Sequence, residues 1–306
     1  MILLCGIPSE RPLELVATEL EDRGAPYAVL NQRRFAECEL TLEVVAGEMG
    51  GLLRLGRRAV PVADVSAAYV RLMDDRALPE LRGVGPHAHL RTRCRALHEA
   101  LDQWLEVTPA RVVNRTSAQA SNGSKPYQSQ LIVAAGLRVP DTLITNDPEA
   151  VLAFRARHRR VVYKSMSGVR SIVRELGEED LPRLERIRWC PTQFQERVQG
   201  TDVRVHCVGG EAYATAVRSS ATDYRYGHQD GEEARLEAVA LDDDVAQRCL
   251  RLTATLGLEL AGLDLRMPPD GDPYCFEVNP SPAFSYYEDH TGQPVAGAIA
   301  RHLAAA

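Results

Sequence analysis

The chain has 306 residues, 45% hydrophobic and 25% charged, with a net charge of −6. These values fit a globular protein long enough for two or three domains with their own cores. No basic block offsets the negative balance, which argues against nucleic acid as a partner. No run approaches the roughly 20 apolar residues that span a bilayer, so no membrane is expected. The opening Met1-Ile2-Leu3-Leu4-Cys5 is too short, and lacks the basic flank, for a signal peptide. Seven cysteines lie scattered singly, without a Cys-x-x-Cys pair. That pattern reads as reduced thiols in a cytoplasm, with Cys249 and Cys275 as small core residues.

Residues 2–5 read as a buried strand, 9–23 as a helix capped by Ser9 and closed by Gly24, and 27–30 as a second strand. This is a βαβ opening of the doubly wound type, without the three-glycine dinucleotide fingerprint. Alternating runs at 41–46, 51–55 and 59–62, divided by glycines, predict a β-meander inserted into this domain, and 67–72 returns to the sheet. Arg71, Asp74, Asp75 and Arg76 at its end are either ligand-facing or a solvated loop. Residues 91–106 carry Cys94, Leu97, Leu101 and Leu105 at helical spacing, and 112–114 begin a strand. The small-polar stretch 116–124 marks a domain boundary.

Lys125-Pro126 opens a helix that Gly136 ends, and Asp147-Pro148 caps another. Residues 160–164 form a strand ending in Lys164, followed by the small-residue loop 165–170; 172–174 pair back, and 179–187 form a short helix. Residues 193–198 are a strand, 203–208 and 212–217 a hairpin across Gly209-Gly210, and 243–256 an amphipathic helix closed by Gly257.

The most informative stretch is a second hairpin, 260–267 and 274–279, divided by Met267-Pro268-Pro269-Asp270-Gly271-Asp272-Pro273. If Met267 pairs with Tyr274, Asp264 faces Glu277 on one sheet face and Asn279 shares it. Opposed carboxylates destabilise a ladder unless a cation lies between them. An all-oxygen ligand set suits magnesium. Upstream, Lys164 can meet a phosphate as a point charge, with backbone N–H groups of Ser167, Gly168 and Val169 capping its oxygens. The segment from Gln195 to Val198 offers an edge to a base, and the acidic side chain that follows an acceptor for ribose. Each residue alone also fits a surface role: Lys125 and Lys164 as solvated charges, Asp202 as a turn residue, Arg204 as a partner of Glu196. His206, His228 and His290 lack metal-type spacing and read as structural or solvent-facing.

Taken in order, Ser124-Lys125-Pro126-Tyr127-Gln128, Val162-Tyr163-Lys164, Gln195-Glu196-Arg197, Gly200-Thr201-Asp202-Val203-Arg204, Gly262-Leu263-Asp264-Leu265-Arg266 and Phe276-Glu277-Val278-Asn279-Pro280-Ser281-Pro282 resemble the ATP-grasp superfamily over residues 118–303. Within it, the resemblance is to ribosomal-protein-S6-modifying glutamate ligases and peptide-crosslinking graspetide ligases. It implies an α/β fold, α+β in the C-terminal lobes: a Rossmann-like pre-ATP-grasp domain (1–117), an N-terminal lobe (118–191) and a C-terminal lobe (192–306). It also implies ATP and Mg2+ as cofactors. Lys125 and Lys164 would meet the phosphates, Gln195, Glu196 and the Val198 backbone the adenine, and Asp202 the ribose. Asp264, Glu277 and Asn279 would bind the metal, and Arg218, Lys164 and Arg266 would serve the chemistry. The implied activity is ATP-dependent amide or ester formation through an acyl phosphate, joining a carboxylate substrate to an amine acceptor, an amino acid or peptide. A homo-oligomer, dimer or tetramer, is expected. The alternatives are a kinase acting on a small acceptor and a nucleotide-binding regulatory protein. The 218–226 segment before the acidic run 230–233 reads as a substrate lid or a surface loop, and 281–287 as lining for the acceptor.

Overall fold

The computed structural model describes residues 1–165, 173–218, 235–269 and 271–306. Its first domain opens with β1 (Ile2–Gly6), α1 (Arg11–Asp22) and β2 (Tyr27–Asn31). The meander β3 (Cys38–Val45), β4 (Glu48–Leu55) and β5 (Arg58–Pro61) follows, then β6 (Ala67–Val70), α2 (His89–Val107) and β7 (Arg111–Val113). The parallel sheet runs β2-β1-β6-β7, and the meander is a separate antiparallel sheet. Helix α1 begins one residue later than a Ser9 cap would set it. Pro12, in its first turn, fixes the start, and Glu10 holds the cap position without a side-chain bond.

The next region holds α3 (Lys125–Ala134), β8 (Thr142–Thr145), α4 (Pro148–His158), β9 (Val161–Ser165), β10 (Arg174–Glu175) and β11 (Thr192–Glu196), with a sheet order of β10-β9-β11-β8. Asp147 caps α4 by accepting from Glu149 N at 3.1 Å. The predicted helix around 179–187 is a 3-10 helix, Glu178–Trp189, because Pro182 lies inside it. The small-polar stretch before α3 is likewise ordered as a 3-10 helix, Ser117–Gly123.

The C-terminal region is one antiparallel sheet with helices. It comprises β12 (Thr201–Val208), β13 (Glu211–Arg218), β14 (Arg235–Val239), α5 (Asp243–Thr255), β15 (Leu260–Met267), β16 (Tyr274–Asn279), α6 (Ser285–Thr291) and α7 (Val295–Ala304), ordered β14-β13-β12-β15-β16. One face carries Val203, Val205, Ala214, Ala216, Leu263, Leu265, Cys275 and Val278, closed by Val245, Cys249 and Leu252 of α5 and Ile132 of α3. Truncating a core leucine such as Leu263 to alanine would cost about 2–5 kcal/mol. With this face buried, the strand period of two turns every intervening residue to the opposite, polar face. Helix α7 buries Ala296, Ile299 and Leu303 against Leu13, Val16 and Leu20 of α1, which fastens the C-terminal sheet to the first domain. Six of the seven cysteines are buried, Cys249 and Cys275 among them.

Candidate active site

The polar face of the C-terminal sheet is a grid fixed by strand register. Thr215, Arg204, Asp264 and Glu277 form one row, in which each residue pairs with the next. On one side lies the row Tyr213, His206, Gly262 and Asn279, and on the other Val217, Asp202, Arg266 and Tyr274. Asp264 does face Glu277, but not through a Met267–Tyr274 pair. Arg266 pairs with Tyr274, and the register shifts between Asp264 and Leu265, leaving Phe276 as an extra residue on β16. The bulge keeps Cys275 and Val278 buried while Glu277 stays on the Asp264 face. The Arg266 guanidinium lies 5.4 Å from the Phe276 ring centroid.

Asp264 and Glu277 each have a cation from the protein itself. Arg204 Nη1 donates to Asp264 Oδ1 at 2.6 Å, and Lys125 Nζ donates to Glu277 Oε1 and, at 3.3 Å, to Asn122 Oδ1. Arg266 in turn grips Asp202 Oδ1 through Nε at 2.8 Å and Nη2 at 2.5 Å, and its Nη1 donates to Val198 O at 2.9 Å. Asp202, Arg204, Asp264 and Arg266 therefore alternate in sign along and across β12 and β15. Two opposed carboxylates remain in one ladder because each is neutralised locally. Asn279 Oδ1 accepts from Ser281 N at 2.9 Å, which turns the chain at the strand end.

The face of the other sheet that carries Lys164 also holds Val162, Gln193 and Gln195. Gln195 Nε2 donates to Thr142 Oγ1 at 3.0 Å. Glu196 falls on the opposite face: its Oε1 accepts from Asp141 N at 3.0 Å, and its carboxylate is 3.8 Å from His158. It is thus held at the α4 side rather than beside Lys164, and it does not pair with Arg204. Arg218 ends β13 on the Ala214–Ala216 side, exposed, with Glu237 at 3.4 Å. The structure therefore brings together Lys125, Asp202, Asp264, Arg266, Glu277 and Asn279, and does not bring Arg218 or Glu196 to their respective faces. Ser167, Gly168 and Val169, His228, and the 219–234 segment lie outside the described residues.

Several positioning side chains carry little sequence signal. Gln128, buried on α3, donates to Val278 O at 2.9 Å and accepts from Val278 N at 3.0 Å, satisfying the outer edge of β16. Asn114 donates to Leu260 O at 2.7 Å and Pro280 O at 2.6 Å, and accepts from Glu259 N at 2.7 Å and Leu260 N at 3.2 Å. It ties the first domain to the open end of the hairpin, where Pro280 has no N–H for the ladder. Arg71, nearly buried, is gripped by Glu10 at 2.5 Å and reaches Ser281 Oγ and Pro282 O at 3.3 Å. It bridges the domains rather than ending in a solvated loop. Asp75, four residues further on, pairs with Arg91 at 2.5 Å. His206, fully buried, is held well below the usual histidine pKa by burial and by the Arg204 charge. Burial likewise pushes the Cys275 thiol well up, so that it stays protonated. A free-cysteine nucleophile here is thereby disfavoured.

The donor set of Asp264, Glu277 and Asn279 is all oxygen and shares one face, which fits a hard divalent cation. Among the described residues no group of three His, Cys, Asp or Glu side chains forms a cluster of metal-binding type; two carboxylates and an amide make this set. No described helix is long and apolar enough to cross a membrane.

Residues 124–303 match the RimK-like ATP-grasp domain. A probable alpha-L-glutamate ligase of Xanthomonas campestris pv. campestris (strain 8004) is 29% identical over 216 residues, covering 67% of this chain and 73% of the relative. Among solved structures, the ATP-grasp ligase PsnB, complexed with a phosphomimetic variant of its minimal precursor, Mg and ADP, is 28% identical with a TM-score of 0.79. That likeness covers 99% of this chain and 97% of PsnB. A RiPP-associated ATP-grasp ligase of Chryseobacterium gregarium, in complex with ADP and a leader and core peptide, shares the fold at 20% identity, with a TM-score of 0.83 over 99% of this chain and 96% of that one.

Proposed function

The chain belongs to the RimK-like ATP-grasp family and is an ATP- and magnesium-dependent ligase, and on that premise we propose that it joins a peptide's side-chain carboxylate to an amine or hydroxyl. The observation that carries this reading is the grid of alternating charges around Asp264 and Glu277. Such a face suits phosphoryl transfer, which needs positioning and charge neutralisation more than acid–base groups.

In this mechanism a carboxylate oxygen of the substrate attacks the γ-phosphorus of ATP and ADP leaves. The acceptor's nitrogen or oxygen then attacks the acyl carbon, loses its proton, and inorganic phosphate departs. Lys164 and Lys125 face the phosphates, and Arg266, held by Asp202, adds positive charge to the same face. Gln195 and the Val198 backbone hold the base, and Asp202 is the acceptor for the ribose. Glu196, on the α4 side, supports the strand that carries Gln195. Arg218, exposed at the end of β13 on the opposite side of the sheet, is assigned no contact with the phosphates. Asp264, Glu277 and Asn279 would hold the magnesium, whose charge would offset that of the phosphates.

A peptide is favoured over a free amino acid because PsnB, which resembles 99% of this chain, is solved in complex with its precursor peptide. The test is ADP release from Mg·ATP with peptide pools, followed by mass spectrometry. Loss of one water per bond within a peptide is the expected product. Addition of an amino acid would redirect the reading to the glutamate-ligase type. A stable phosphorylated product would overturn the ligase chemistry in favour of a kinase.

A further inference from the structure

Arg204 is buried, and every part of its guanidinium has a defined neighbour. Nη1 bonds Asp264 Oδ1, Nε donates to His206 Nε2 at 3.5 Å, and the group lies 5.9 Å from the Tyr287 ring centroid. Its third nitrogen rests over the bare Cα of Gly262. A Cβ there would come within 2.2 Å of Nη2, 2.7 Å of Cζ and 2.7 Å of Pro282 Cβ. Gly262 is not among the glycines with positive φ, so space rather than backbone conformation requires glycine at this point. The donor role of Nε assigns the lone pair of His206 to Nε2 and its proton to Nδ1, which is buried and without a hydrogen-bond partner. The imidazole stays in place by edge-on packing with Tyr287 at 5.0 Å. Asp264 itself is 35% exposed, so it opens toward the polar face while its supports do not.

We infer that Arg204, His206 and Gly262 form an outer shell that fixes one oxygen of Asp264 and thereby presents the other to the metal. Arg204 and His206 are positioning residues here, and Gly262 is the gap that lets the guanidinium lie flat. Ligating carboxylates depend on such partners, whose loss weakens metal affinity roughly 10- to 100-fold. The inference rests on the assignment of Asp264 as a metal ligand, and the test separates the two.

The probe is Mn2+ titrated into the full chain with ADP present, read by electron paramagnetic resonance of the free ion. ADP affinity in chelator and the metal-free melting temperature are measured beside it. Arg204→Met and Gly262→Ala are expected to weaken Mn2+ binding roughly 10- to 100-fold, with metal-free ADP affinity within about twofold of the parent. His206→Leu is expected to weaken Mn2+ binding about tenfold, and His206→Gln, which keeps an acceptor for Nε–H, to restore it to within about threefold. Mn2+ affinity unchanged in Arg204→Met, or His206→Gln as weak as His206→Leu, overturns the inference. So does a loss that merely follows the metal-free melting temperature across the set. Asp264→Asn distinguishes the premises. If it too leaves Mn2+ affinity intact, the metal assignment itself falls; if it abolishes binding while Arg204→Met does not, the outer shell alone falls.

Discussion

The two sheets that carry the proposed nucleotide-binding residues are built on different electrostatic plans. On the C-terminal sheet the polar face is charged, and its ions are matched: Arg204 with Asp264, Arg266 with Asp202, Lys125 with Glu277. On the β9–β11 sheet, Lys164 lies among the neutral amides of Gln193 and Gln195. The difference teaches where each kind of recognition belongs. Matched ions tolerate a hard cation and phosphates because incoming charge redistributes among partners already in place. Neutral amides suit a base, whose hydrogen bonds carry no net charge. It also sets how far each face tolerates substitution. Removing one member of a buried ion pair leaves an uncompensated charge and costs about 3–5 kcal/mol, less where the partner is a third exposed, as Asp264 is. Removing an amide costs about 0.5–1.5 kcal/mol.

The sharpest way to break this comparison is on the charged face. Asp264→Asn and Glu277→Gln should each lower ADP release from Mg·ATP with a reactive peptide at least a hundredfold, by order of magnitude. Near-normal turnover in either would remove that residue from the metal set. Lys164→Met should lower kcat/KM for ATP roughly 10- to 100-fold, the value of a charge-assisted bond to phosphate. A loss of folding stability without a change in kcat/KM would mark it as a strand-end charge. Asn114→Leu, which leaves Leu260 O and Pro280 O without their side-chain donor, should cost about 2–4 kcal/mol in urea unfolding. A neutral result would mean that the hairpin's open end is held elsewhere. The smallest effect is expected at Gln195→Leu, about 2- to 10-fold in the KM for ATP with kcat unchanged. If kcat fell instead, the neutral face would be part of the chemistry.

The shared face of the candidate residues was legible wherever chemistry and period two coincide. Alternation over 260–267 and 274–279 put Asp264, Glu277 and Asn279 on one face, and the structure keeps them there. Glycine and proline punctuation likewise placed both hairpins and the helix from Lys125. The bulge at Phe276 was not legible. A one-residue slip leaves no composition signal, and only the need to bury both Cys275 and Val278 selects it. Glu196 and Gln195 are adjacent in sequence, but strand alternation sends them to opposite faces, and the tertiary choice of which face packs on α4 decided their roles.

What the sequence determined by itself was the strands and which of their polar side chains share a face, because both follow from short-range periodicity. Only the tertiary structure decided their partners. Lys125 meets Glu277 across 152 positions and Arg204 meets Asp264 across 60. Asn114 reaches the hairpin from another domain at separations of 145 to 166. Such contacts depend on how sheets and helices dock to bury their apolar faces, and that docking is a property of the whole chain rather than of any window along it.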